Sequence, residues 1–169
     1  MNILVTLDRN YLPPLRVMLG SLLRNDPGET FEIYAIGDGL LPEDWAALEE
    51  LCAGRGRIHP LEVPADLFAD APVARYWTRA MYYRLLAAEL LPRSLDRVLY
   101  LDPDTLVINS LLPLWELELD GHLFAAAAHT GKTEIANNVN RFRLGTEGDY
   151  YNSGVLLMDL ERCRNEIHT

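Results

Sequence analysis

The sequence predicts an α/β fold, a mostly parallel central sheet flanked by helices on both faces. Short apolar runs at residues 3–7 and 98–101 suit buried strands, and residues 31–36 read as a further strand. They alternate with segments whose apolar residues recur at helical spacing, the pattern of parallel strands joined by crossover helices. No internal repeat or low-complexity linker interrupts the 169 residues, so one domain spans residues 1–169.

Residues 3–7 open the chain as a buried strand. Pro13 and Pro14 suit the first turn of a helix, where amide donors have no intrahelical partner. Leu15, Met18, Leu19, Leu22 and Leu23 form the apolar stripe of that helix, and residues 25–28 (Asn-Asp-Pro-Gly) end it. A second strand covers residues 31–36. Pro42, Glu43 and Asp44 start a second helix with Trp45, Leu48, Leu51 and Cys52 on one face and Gly54 as its C-cap glycine. Residues 57–63 read as a third strand and 66–76 as an irregular bridge. Thr78 caps a helix to about residue 91, with Met81, Leu85 and Ala88 on its inner stripe and Tyr82 and Leu86 beside it. Strand 98–101, a helical turn over 111–117, a strand at 123–128, a polar stretch at 134–144 and a strand at 155–158 follow. A helix begins near Asp159.

Fifteen basic and 25 acidic residues give a net charge of −10. A nucleic-acid surface needs a basic stripe to neutralise phosphates, so that class of partner is excluded. A small diphosphate can still bind an acidic protein if a divalent cation lies between the two sets of charge. No apolar run reaches the length of about 18 residues that a membrane span needs. Residues 1–8 lack the basic flank and cleavage site of a signal peptide. Cys52 and Cys163 stand apart without metal-ligand spacing, which suits a reducing compartment, and a cytoplasmic protein is expected.

A carboxylate pair of the kind a bound diphosphate requires follows the strand at 98–101. Asp102 and Asp104 flank Pro103, outside the carboxyl end of a strand, where open α/β sheets place their ligands. In an extended segment, side chains two apart share a face, so both carboxylates could meet one ion. Oxygen-only donors suit Mn²⁺ or Mg²⁺. The bland alternative is two acids flanking a turn proline.

Four segments occur in order: Asn2-Ile3-Leu4-Val5-Thr6-Leu7-Asp8-Arg9-Asn10-Tyr11, Met81-Tyr82-Tyr83-Arg84-Leu85, Val98-Leu99-Tyr100-Leu101-Asp102-Pro103-Asp104, and Tyr151-Asn152-Ser153-Gly154-Val155-Leu156-Leu157. Together they resemble glycosyltransferase family 8, whose members include bacterial lipopolysaccharide galactosyl- and glucosyltransferases and which is similar to glycogenin. The resemblance implies a GT-A, Rossmann-like fold and retaining transfer of a hexose from a UDP-sugar to a glycan or lipid-linked sugar acceptor. It implies that Thr6, Leu7, Asp8, Asn10 and Tyr11 form the uridine pocket, with Asp8 and Asn10 on the uracil edge and Tyr11 stacked on the ring. Asp102, Pro103 and Asp104 would meet the metal and diphosphate, Arg84 the donor and Asn152 the donor sugar. Read without the resemblance, Asp8 and Asn10 belong to a solvated strand-to-helix turn, Tyr11 is a helix-entry staple and Asn152 a strand-entry cap. Arg84 has small neighbours in Ala80, Ala87 and Ala88; an inward-pointing guanidinium there needs a carboxylate or phosphate partner.

Two departures qualify the resemblance. His129 stands where some relatives carry an aspartate. The family's later segment, with a third metal ligand that is typically a histidine, is not among these residues, and His168 does not replace it. The chain is therefore expected to be a C-terminally truncated piece holding half of a metal site. Any peripheral membrane contact would come from outside it. Two rivals compete: a nucleotide-sugar-binding module without catalysis, and a phosphatase of the haloacid dehalogenase type. The latter needs a residue between its second acid and threonine, whereas Thr105 follows Asp104 directly.

Overall fold

The computed structural model describes residues 1–63, 80–128, 145 and 151–167. The first half follows the expected order: β1 (Asn2–Asp8), α1 (Leu12–Asn25), β2 (Phe31–Asp38), α2 (Pro42–Cys52) and β3 (Gly56–Leu61). Then come α3 (Ala80–Tyr83), α4 (Ala87–Leu90), β4 (Arg97–Leu101), α5 (Leu112–Trp115), β5 (Phe124–Ala128), β6 (Tyr151–Asp159) and α6 (Leu160–Glu166). The bridge at 66–76, the cap at Thr78 and the polar stretch at 134–144 lie outside the described residues, as do His129 and His168.

The six strands form one sheet in the order β3-β2-β1-β4-β6-β5. β1 pairs in parallel with β2 and β4, and β2 with β3. β6 runs antiparallel to both β4 and β5, so the sheet is mixed as well as mostly parallel. This arrangement matters for the site: the carboxyl ends of β1 and β4 and the amino end of β6 all leave the sheet at one edge.

Strand residues alternate between two cores, because successive side chains point to opposite faces. Ile3, Val5, Leu99 and Leu101 pack with α1 and α2. Leu4, Tyr34 and Tyr100 pack with Tyr83, Ala87 and Leu91 on the other side. α1 buries Leu15, Met18, Leu19, Leu22 and Leu23, the five residues its periodicity selects. Gly54, just after α2, has φ +87, a left-handed conformation that glycine adopts without steric cost.

The segment at 80–91 differs from expectation. A 3₁₀ turn (Arg84–Leu86) separates α3 from α4, and its tighter winding resets the helical phase. Tyr83, Arg84, Leu86, Ala87 and Leu91 face inward, while Leu85 is 63% exposed. A uniform 3.6-residue period put Leu85 on the inner stripe, and the turn swings it out. The side chain of Met81 lies outside the described set.

The free thiols of Cys52 and Cys163 are buried, and burial pushes both up to about 11. Among the described residues, no helix is long and apolar enough to cross a membrane.

Candidate functional site

Thr6, Asp26 and Arg84 are the buried polar or charged residues of the described chain, apart from tyrosine and cysteine. Two of the three lie in one network at the edge where β1, β4 and β6 meet. Tyr100 is fully buried, yet its hydroxyl donates to Asp102 Oδ1 at 2.5 Å and lies 3.2 Å from Thr6 Oγ1. Arg84 approaches the same Oδ1 at 3.1 Å and stacks over the Tyr100 ring, 4.5 Å from its centroid. Its Nη1 also donates to the Ser153 carbonyl at 2.7 Å. The carboxylate that Arg84 was expected to need is therefore Asp102 itself. Burial pushes the Tyr100 phenol far above its usual range, with Arg84 opposing and the Asp102 charge adding to the shift, so the hydroxyl stays a proton donor.

The backbone locks the same spot. The Asp102 N–H donates to the Gly154 carbonyl at 2.7 Å, extending the β4–β6 ladder by one rung. A Cβ on Gly154 would lie 2.6 Å from Asp102 Oδ2, closer than real contacts allow. Glycine inside a strand marks a close approach, and here a carboxylate occupies the space a side chain would take. Asn152 Oδ1 accepts the Gly154 N–H at 2.7 Å, which shapes the entry of β6.

The acid pair is not presented by an extended strand, as the sequence reading assumed. The Thr105 N–H closes back on the Asp102 carbonyl at 3.0 Å, so residues 102–105 form a turn with Pro103 in its second position. Proline favours that place because its fixed φ matches the turn. Pro103 is buried and Asp104 exposed; Asp104 has no hydrogen bond or ion pair to the described residues.

Arg84 and Asp102 are thus joined directly, Thr6 through the Tyr100 hydroxyl and Asn152 through Gly154. Asp8 and Asn10 meet each other, since Asp8 Oδ1 caps the 3₁₀ turn (Arg9–Tyr11) by accepting the Asn10 N–H at 2.8 Å. The Asn10 side chain is exposed. Leu7 is 1% exposed, so its side chain belongs to the core and its backbone alone faces the edge. Tyr11 stands at the N-cap of α1 and packs half-buried against the core.

Arg9 ties this turn to α2 through Asp44 at 2.9 Å. Asp44 also accepts the Leu41 N–H at 2.9 Å, and this backbone bond is the main cause of its lowered pKa, with Arg9 helping and desolvation opposing. A depressed folded-state pKa contributes stability above the ordinary aspartate value of 3.8, lost as pH falls through the lower folded-state value. Asp44→Asn is therefore expected to flatten the acid limb of stability, measured by thermal melts from about pH 5 to about pH 2. An unchanged acid limb counts against the clamp.

A cavity of about 700 Å³ opens beside Arg84 and Ser153, with Leu85, Phe124, Tyr151 and Leu156 among its walls. Its lining is largely apolar, in contrast to the polar edge beside it.

The profile of Glycosyl transferase family 8 matches residues 2–169. The chain belongs to this family. The family 8 chain is 32% identical to General stress protein A of Bacillus subtilis (strain 168), over 98% of its own length and 58% of that protein. It is 31% identical to lipopolysaccharide 1,2-glucosyltransferase of Escherichia coli (strain K12), over 96% of its length and 48% of the relative. It spans about half the length of these curated relatives. Among solved structures, galactosyltransferase LgtC in complex with donor and acceptor sugar analogues superposes with a TM-score of 0.87 and 29% identity. That match covers 99% of the family 8 chain and 60% of LgtC. The GT-A fold expected from the resemblance holds.

Tyr100, Ser153 and Gly154 carry site geometry that sequence reasoning left without a role. Tyr100 lies two residues before Asp102, on the same strand face, and Gly154 sits within a strand; both were available signals.

Proposed function

We propose that the chain forms the donor site of a retaining glycosyltransferase that passes a hexose, galactose or glucose, from a UDP-sugar to a glycan or lipopolysaccharide acceptor. The observation that carries this is the Asp102 carboxylate, held by buried Arg84 and Tyr100 at the strand edge of a family 8 chain. Relatives named as lipopolysaccharide 1,2-glucosyltransferase and 1,3-galactosyltransferase support the hexose and the acceptor class.

Asp102 Oδ2 and the Asp104 carboxylate have no hydrogen-bond donor among the described residues, and Asp104 is exposed. These oxygen donors fit Mn²⁺ or Mg²⁺, which keeps much of its coordination for water and phosphate oxygens. Among the described residues no cluster of three or more acidic, histidine or cysteine groups completes the set. When bound, the ion would neutralise charge developing on the departing UDP. Asp8 and Asn10 would read the uracil edge, Tyr11 would stack on it, and Arg84 would hold Asp102 in place while facing the donor. Attack would come from the leaving-group face, the acceptor proton passing to the diphosphate. Two buried free thiols suit a cytoplasmic setting.

The expected result is that UDP binds about tenfold or more tightly with Mn²⁺ than without it, measured by calorimetry, and that Asp104→Asn abolishes most of the difference. Equal affinity in both conditions sinks the metal reading. A second reading is donor binding without turnover; UDP-sugar hydrolysis by this chain would remove it. The phosphatase rival has no observation in its favour beside the whole-chain family match.

A further inference from the structure

Tyr100 is a core residue with one polar atom. Its ring is fully buried among Leu4, Tyr83 and Ala87, where phenylalanine would serve packing as well. A hydroxyl in such a place is costly unless bonded, and this one contacts Thr6 Oγ1 and donates to Asp102 Oδ1. An ionised carboxylate only accepts, so the O–H points to Asp102 and the phenol oxygen accepts from Thr6. Arg84 takes the same Oδ1, while Oδ2 rests in the space left by Gly154 with no donor among the described residues. One oxygen is thus occupied from the core side and the other has no donor among the described residues.

We propose that Tyr100 is a positioning residue of the donor site: its hydroxyl orients Asp102 so that Oδ2 alone meets the cation of a UDP–metal complex. This rests on Asp102 being a metal ligand, the reading advanced above. Hydrogen bonds to a ligating carboxylate orient it, and losing one typically weakens metal binding by about 10–100-fold.

The test is calorimetric titration of UDP, with and without Mn²⁺, into the wild type, Tyr100→Phe, Asp102→Asn and the double variant. Tyr100→Phe is expected to weaken UDP binding about tenfold with Mn²⁺, while metal-free affinity and the melting temperature stay close to wild type. In the Asp102→Asn background the Phe substitution should have no further effect, because Tyr100 acts through that carboxylate. A full additional loss in that background overturns the proposal, as does an equal fall in metal-free affinity, since either marks a merely structural role. Gly154→Ala presses on Oδ2 from the opposite side and needs no change in the core. It should suppress the Mn²⁺ increment, and unchanged Mn²⁺ dependence overturns the orientation claim even if Tyr100→Phe does not fold. No Mn²⁺ dependence in the wild type removes the metal reading and this inference together. A Mn²⁺-dependent wild type beside an unaffected, folded Phe variant removes the inference alone.

Discussion

Arg84→Ala is expected to destabilise the fold by about 2–3 kcal/mol and to abolish most Mn²⁺-dependent UDP binding. Arg84 is 7% exposed and its guanidinium makes three kinds of contact at once: the Asp102 ion pair, the Ser153 carbonyl and the Tyr100 ring. Removing one partner of a buried pair typically costs about 3–5 kcal/mol, because the remaining charge is left unpaired. Asp102 is 32% exposed on its side chain, so water recovers part of that loss and the lower figure applies. Arg84→Lys should restore little, because a point ammonium cannot serve the carboxylate, carbonyl and ring together as a planar fork does. Urea denaturation checks the stability and calorimetry the binding. A wild-type midpoint in Arg84→Ala would show that the network is ornamental.

The residues that made this site legible differ from those that hold it. The order at the start of the chain was readable because β1 is a nearly continuous apolar run and α1 is a regular helix with a full stripe. Asp102 and Asp104 stood out as candidates because ligands gather at strand ends. Three features were not. The phase of residues 80–91 depends on a 3₁₀ turn that apolar spacing does not reveal, so Leu85 was placed inward and the burial of Tyr83 was missed. The direction of β6 depends on long-range pairing, and hydrophobic pattern is blind to strand direction. The partners of Asp102 come from residues 84 and 154 as well as 100, and only the fold brings these together. The turn at residues 102–105 was within reach, since proline in the second position of a turn is a common preference; the extended geometry assumed there ignored it.

Asp26→Ala is expected to cost about 2–4 kcal/mol, with its effect on the site felt at Asp104 rather than Asp102. Asp26 is 3% exposed at the end of α1, and its carboxylate accepts from Ser110 Oγ and, at 2.9 Å, from the Leu111 N–H. Hydrogen bonds to a charged acceptor contribute about 1.5–3 kcal/mol each. Ser110 is exposed and can turn to water, which keeps the total below their sum. The same helix end holds Val107 twice, through Ser21 Oγ accepting its N–H at 3.0 Å and Asn25 Nδ2 donating to its carbonyl at 2.9 Å. Residues 107–111 are therefore pinned to α1 just after the acid pair. Asp26→Asn keeps an acceptor for the Leu111 N–H, and its amide can donate to the serine oxygen, so its cost should be about half that of alanine. Urea denaturation of both variants reads this order, and equal midpoints for wild type and alanine would refute it. Because Asp102 is held from Arg84, Tyr100 and Gly154, the alanine variant should keep part of its Mn²⁺ response, whereas Arg84→Ala should lose most of it. That contrast separates the two halves of the acid pair: Asp102 is fixed by the sheet and Arg84, and Asp104 by how firmly the following loop is tied to α1.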